Sequence, residues 1–242
     1  MDDTGRFMKN DGAITSGSFI VTIDGPAGSG KTTVSRLVAE GLGFDYVDTG
    51  ALYRGVAYAA VNANIRLDND DALDRLCRSL TIRMVRGKDG LHIFVNGADV
   101  SGKIRTSDIS MAASAVSARP VVRRYLLKLQ RDLGRDRQAV FEGRDIGTVV
   151  FPDADVKFFL NAEIKIRAER RHHEMTHDHD ITIEQVQEDM MRRDKNDSSR
   201  TVAPLKAAAD AVYVDTTDLS IRQVVDLMIA HVTNRLRQGI VL

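Results

Sequence analysis

Gly25-Pro-Ala-Gly-Ser-Gly-Lys31-Thr32 brings together residue types that can hold a polyphosphate. Glycines at 25, 28 and 30 let the backbone turn successive N–H groups toward an anion. Lys31 can reach β- and γ-phosphates, and the Thr32 hydroxyl can ligate Mg²⁺. The spacing is that of a phosphate-binding loop, G-x-x-x-x-G-K-[ST]. Its candidate cofactor-binding residues are Gly25, Pro26, Ala27, Gly28, Ser29, Gly30, Lys31, Thr32 and Thr33. Such a loop needs a strand before it and a helix after it. Phe19-Ile-Val-Thr-Ile23 is a β-branched apolar run that predicts a buried strand, and Val34, Leu37, Val38 and Leu42 recur at helical spacing. A helix starting there adds partial positive charge to the anion site.

Arginine–acid motifs recur further along. In Asp48-Thr-Gly-Ala-Leu-Tyr-Arg54 an acid closes a short predicted strand, Tyr46–Asp48. Thr49 and Gly50 then open a helix, with Arg54 about one turn in. Ligands of a doubly wound sheet bind at the C-terminal strand ends, and a helix start plus an arginine suits phosphate. Glu142-Gly-Arg144-Asp145-Ile-Gly-Thr148 leaves another strand end, with two glycines that permit close ligand approach. Arg193, Asp197 and Arg200 are spaced by four and three residues, which puts them on one helix face. Alone, that spacing describes a solvated ion-pair ladder equally well. Arg167, Arg170 and Arg171 cluster too, and read as a solvated face. His172, His173, His177 and His179, with Glu174, Asp178 and Asp180, are metal-ligand types. In a charged helical stretch they also read as solvated.

The loop by itself is compatible with motors, GTPases, transporter ATPases and small-molecule kinases. A GTPase should carry N-K-x-D after a strand. The nearest match, Asp194-Lys-Asn-Asp197, has the wrong first residue and sits in a charged helical stretch. No run of four apolar residues stands out entering an acid, as a motor or transporter would require. A kinase needs positioning and spread positive charge rather than a strong base, and arginines at predicted strand ends supply that. The 34 basic and 34 acidic residues cancel, which predicts neither a nucleic-acid polymer nor a membrane surface as partner. Cys77 is the single cysteine, so intrachain disulfides and thiolate metal sites are excluded; it reads as a small core residue. Nothing resembles a signal peptide or a membrane span, which predicts a cytoplasmic protein whose Asn196-Asp-Ser198 sequon goes unused.

The positioning elements follow from periodicity. After a helix carrying Leu52, Val56, Tyr58 and Ala59, the texture changes from Asp68 to Arg105. A short helix, Asp71–Ser79, precedes Thr81–Val85 and Leu91–Val95, joined by Arg86-Gly-Lys-Asp-Gly90; this predicts an antiparallel hairpin. Residues 108–134 read as helix broken at Pro120. Gln138–Phe141, Val156–Leu160 and Ala211–Val214 read as strands, Glu163–Arg200 as charged helix, and Ile221–Leu236 as a closing helix. Strands alternating with helices predict a parallel sheet covered on both faces. Met1 to Ser18 shows no periodicity and predicts a flexible tail.

Taken together, these segments resemble the bacterial cytidylate kinases, within the nucleoside monophosphate kinases. The resemblance is carried by Asp48–Arg54, Glu142-Gly-Arg-Asp-Ile-Gly-Thr-Val-Val-Phe-Pro-Asp153 and Arg200-Thr-Val-Ala-Pro-Leu-Lys206. Asp99-Val-Ser-Gly-Lys-Ile-Arg105 and Arg119-Pro-Val-Val-Arg123 add to it, and it spans about residues 19–237. It implies an α/β P-loop kinase fold: a five-stranded parallel sheet flanked by helices, a small antiparallel β-containing insert and a helical lid. Residues 19–242 would form one domain after the tail 1–18, with 68–105 and flanking helices as monophosphate-binding insert and 171–198 as lid. The implied reaction moves the ATP γ-phosphoryl group to CMP or dCMP, with Mg²⁺, in a monomer. By matching position, Arg54, Arg144 and Arg193 would hold the acceptor phosphate, Ser114, Arg123 and Asp145 the cytosine, and Asp197 the ribose, with Thr49 also in the substrate site. Arg200, Arg170 and Arg171 would face the transferring phosphates, making Lys31, Arg144, Arg193 and Arg200 the catalytic cations. Glu142 stands where many members have Asp. Other small-molecule kinases, or a non-catalytic nucleotide sensor on the same fold, remain the alternatives.

Overall fold

The computed structural model describes residues 18–87, 90–174 and 181–239. Nearly all of the predicted tail lies outside these residues, as do His177, Asp178, His179 and Asp180. The chain divides into two compact units, Thr49–Gln130 and Ser18–Asp48 with Arg131–Leu242.

Strand β1 (Phe19–Asp24) is apolar without alternation, as a strand covered on both faces must be, and five of its six residues are buried. Helix α1 (Lys31–Leu42) buries Val34, Val38 and Ala39 and ends on left-handed Gly43, whose N–H reaches the Ala39 and Glu40 carbonyls. Strand β2 (Asp45–Asp48) closes this first stretch of the second unit.

The Thr49–Gln130 unit begins with α2 (Thr49–Asn62), which buries Leu52, Val56 and Ala60. Helix α3 (Asp70–Ser79) is capped by Asn69, whose side chain accepts from the Ala72 N–H at 3.0 Å; Asp70 and Asp71 fill its first turn and Arg78 its last. Strands β3 (Ile82–Gly87), β4 (Gly90–Val95) and β5 (Ala98–Asp99) form an antiparallel sheet, so the expected hairpin is present and gains a two-residue third strand. Ile82, Ile93 and Val95 alternate inward and are buried; α2 packs against β4 and against α4 (Ser107–Ser117). Cys77 is buried, and burial pushes its thiol up to about 11, as suits a core residue rather than a nucleophile. Pro120 opens α5 (Pro120–Gly134), where its missing N–H has no helical partner to lose.

In the second unit, β6 (Gln138–Gly143) is followed by a single π-helical turn, Ile146–Val150, then β7 (Val156–Asn161). The charged stretch forms two helices, α6 (Ile164–Glu174) and α7 (Ile183–Ser199); Thr182 and Gln185 make a reciprocal capping box at the start of α7. Strand β8 (Val212–Asp215) and α8 (Ile221–Gly239) complete the unit. The five strands are ordered β2-β6-β1-β7-β8, and every pair is parallel, as expected. Helices α1 and α8 pack together over one face, where Val21, Ile23, Phe158, Leu160, Val38 and Met228 form the core. Truncating fully buried Phe158 to Ala there would cost about 3–5 kcal/mol. This rigid sheet holds the C-terminal ends of β1, β2 and β6 side by side.

Candidate active site

The loop after β1 turns as the glycine spacing predicts. Gly25 has φ 151° and its missing Cβ would lie 2.0 Å from the Leu160 carbonyl oxygen; Gly28 has φ 70° with the Arg167 carbonyl oxygen 2.7 Å from that position. Gly30 precedes α1, so no side chain caps the helix and no acid sits in its first turn. The open N–H groups and the helix dipole there favour an anion. Lys31 is buried and folds along the loop, its Nζ donating to the Pro26 carbonyl at 2.5 Å and lying 3.3 Å from Ser29 Oγ. Burial, then the Arg144 cation, holds its pKa well below the ordinary lysine range, against opposing pulls from Glu142, Asp24 and Asp194.

Buried acids line the strand ends beside it. Thr32 Oγ1 donates to Glu142 Oε1 at 2.9 Å, joining the start of α1 to the end of β6. Asp48 and Glu142 are register partners on neighbouring parallel strands, which sets the two carboxylates close. Burial first, then Asp48, pushes Glu142 up to about 7. Asp24, at the end of β1, accepts N–H bonds from Ile146 (2.9 Å) and Gly147 (2.8 Å), and burial pushes it up to about 6. It is thereby a brace that fixes the π-helical turn behind Asp145, which is also buried.

The arginines converge on α7. Arg144 Nε donates to Asp197 Oδ2 at 3.2 Å, and Arg200 lies 3.7 Å from Asp197 Oδ1. Arg193 is half-buried; burial and Arg144 lower its pKa, and its Nε has no hydrogen-bond partner among the described residues. Arg170 grips Thr216 through Oγ1 (3.0 Å) and the carbonyl (2.7 Å), whereas Arg171 makes an exposed pair with Glu174 at 3.0 Å. Arg167 contradicts the solvated reading of its cluster: it is buried and bonded to the Ala27 carbonyl and to Asp194. In the Thr49–Gln130 unit, Thr49 is buried at the start of α2, which also carries Arg54. Buried Arg123 on α5 donates to the Ser117 carbonyl at 3.1 Å and stands 5.7 Å from the Tyr53 ring; Ser114 lies one turn before Ser117.

Residues 21–234 match the family model for cytidylate kinase. The chain belongs to the cytidylate kinase family. It is similar to the cytidylate kinase of Geobacter sulfurreducens, 48% identical over 219 residues (90% of this chain, 94% of that one). The cytidylate kinase of Citrifermentans bemidjiense is 46% identical over 228 residues (94% and 98%), and that of Bacillus subtilis 43% over 218 (90% and 97%). Within this cytidylate kinase fold, sequence reasoning did not single out Asp24, Tyr53 or Ser117, read Arg167 as solvated and met Asp194 only in a failed GTPase match. Asp24 had a signal, an acid closing the strand before the phosphate loop. β6 had one as well: Ala139-Val-Phe141 runs into Glu142, three apolar residues rather than the four sought.

Proposed function

We propose that this kinase transfers the γ-phosphoryl group of ATP to CMP or dCMP, giving CDP or dCDP and ADP. The observation that carries this is desolvated positive charge gathered at the phosphate loop and the end of β6. Burial first, and Arg144 second, lowers the pKa of both Lys31 and Arg193 beside an uncapped helix start, and Arg193 Nε is unsatisfied among the described residues. A polyanion relieves all of these at once.

The loop Gly25–Thr33 binds the donor phosphates through N–H groups and Lys31. Thr49, Arg54, Arg144 and Arg193 bind the acceptor phosphate, Asp197 the ribose, and Arg200, Arg170 and Arg171 the donor side. Phosphoryl transfer passes through a loose transition state, so these cations act by placing the two phosphates and spreading the migrating charge. Thr32 and Glu142 fit Mg²⁺: a hydroxyl and a carboxylate oxygen 2.9 Å apart, in an acidic pocket whose raised pKa values a cation would lower. Among the described residues no three or more His, Cys, Asp or Glu side chains form a metal cage. When bound, Mg²⁺ would neutralise phosphate charge.

Asp145, Arg123 and Ser114 read the base. An ionised carboxylate can only accept, so Asp145 suits the cytosine amino group and repels the uracil O4. Residues 68–105 with their flanking helices serve as the monophosphate-binding insert and 171–198 as the lid. Among the described residues no helix is long and apolar enough to cross a membrane. Monomeric action on free nucleotides in the cytoplasm is part of the same proposal and rests on the family resemblance. Coupled ADP release measured with CMP, dCMP, UMP, AMP and GMP tests the reading, CMP and dCMP being expected to dominate. Asp145→Asn should lower kcat/KM for CMP more than for UMP; an unchanged ratio would remove Asp145 from the base site.

A further inference from the structure

Arg167 has no part in the phosphate roles above, yet its side chain is only 8% exposed. Its Nε donates to the Ala162 carbonyl at 2.9 Å, and its Nη1 to the Ala27 carbonyl at 3.1 Å and to Asp194 Oδ2 at 2.6 Å. One planar guanidinium thus fastens the end of β7, the phosphate loop and α7. Packing reinforces the link. Ala168, Val186 and Met190 form a small buried cluster on which Ala27 rests, and the position of a Cβ on Gly28 would be 2.7 Å from both the Arg167 carbonyl oxygen and Met190 Cε. Asp194 Oδ1 has no hydrogen-bond partner among the described residues, and the half-buried carboxylate meets Arg167 at 2.6 Å through Oδ2, with Lys31 and Arg193 adding weaker attraction. Asp194 also adjoins Arg193 and precedes Asp197 by one turn on α7.

We propose that the Arg167–Asp194 pair is a positioning clamp that sets Pro26–Gly28 for ATP, with α7 as its fixed anchor. This rests on reading the site as that of an ATP-dependent kinase. The physical effect is on peptide orientation. Arg167 holds the Ala27 carbonyl against α6, which leaves the loop to face the donor with N–H groups. A released carbonyl could turn toward the phosphates and repel them. Lysine at this position lacks the fork needed for three directed bonds.

The test uses full-length Arg167→Lys and Asp194→Asn, singly and together, with KM for ATP and for CMP. A non-hydrolysable ATP analogue is titrated in parallel, without CMP. Arg167→Lys should raise KM for ATP and the analogue Kd by about tenfold, the scale of a lost charge-assisted bond. KM for CMP should stay within about twofold, and the double variant should be no worse than Arg167→Lys alone. An unchanged analogue Kd, equal rises in both KM values, or additive single effects would overturn the clamp. If Arg167→Lys does not fold, Asp194→Asn carries the same readouts, with a smaller rise in the analogue Kd expected and no rise overturning the proposal. Failure of the unaltered protein to phosphorylate CMP would overturn the acceptor assignment, while the analogue titration still decides the clamp.

Discussion

Asp74–Arg78 on α3 and Asp197–Arg200 at the end of α7 are both arginine–acid pairs at helical spacing, and they behave as opposites. The first is the shorter, 2.6 Å against 3.7 Å, but its Arg and Asp side chains are 79% and 31% exposed, where those of the second are 8% and 12% exposed. At about 4 Å the attraction between unit charges is ~1 kcal/mol in bulk water and ~4 kcal/mol at the effective dielectric of a protein surface site. Burial therefore outweighs the extra ångström. The surface pair can be lost with little consequence, whereas Asp197 holds Arg144 and Arg200 in one arrangement and leaves the Arg193 Nε without a hydrogen-bond partner among the described residues. Spacing and distance do not distinguish a solvated ladder from a buried one; desolvation does.

The widest gap between the two regions should come from Lys31→Ala. It removes a charge that matters most as the γ-phosphoryl moves, and kcat should fall roughly 10²-fold or more. Near-normal turnover in a folded variant would contradict the donor-site assignment.

Asp197→Ala should come next, lowering kcat/KM for CMP by about 1.5–3 kcal/mol through loss of charge-assisted hydrogen bonds. A change confined to ATP affinity would move Asp197 to the donor side.

Glu142→Gln sharpens the comparison through pH. The folded pKa is raised from 4.5 to about 7, so between those values the folded state keeps a proton that the unfolded state has lost. Stability must then decline as pH rises through that window, the loss being complete above it. Melting temperatures taken from pH 5 to 8 should fall more for the unaltered protein than for Glu142→Gln, because glutamine cannot ionise. Asp24, raised to about 6, contributes the same sign to both proteins. A steeper fall in the variant would show that Glu142 is not the buried acid responsible.

The smallest effect belongs to Asp74→Ala, with less than ~0.5 kcal/mol of stability lost and both nucleotide KM values unchanged. A loss comparable to that of Asp197→Ala would erase the distinction drawn from burial.

The strands and helices were legible because their signals are local. The β-branched run Phe19–Ile23 favours strand and the spacing over Val34–Leu42 favours helix, and Gly25–Thr32 carries its own turn chemistry. The hairpin between β3 and β4 was equally plain from alternation and a Gly/Asp turn. What was not legible is how three arginines in Arg167–Arg171 divide. They share a helix and a charge, yet one is buried on the phosphate loop, one grips Thr216 and one is in an exposed ion pair. Arg167 and Arg170 owe that to partners far away in sequence.

Residue types and spacing alone determined that a polyphosphate loop stands between a strand and a helix, and that arginines follow other strand ends. Tertiary structure decided which charges lose their water. Strand order brings Asp48 beside Glu142, and the return of the chain through α7 brings Asp194 to Arg167 and Asp197 to Arg144. The physical reason is that conformational preference is set mainly by near neighbours in the chain. The desolvation that perturbs Lys31, Glu142 and Arg193 is instead a sum over whatever the fold packs around them.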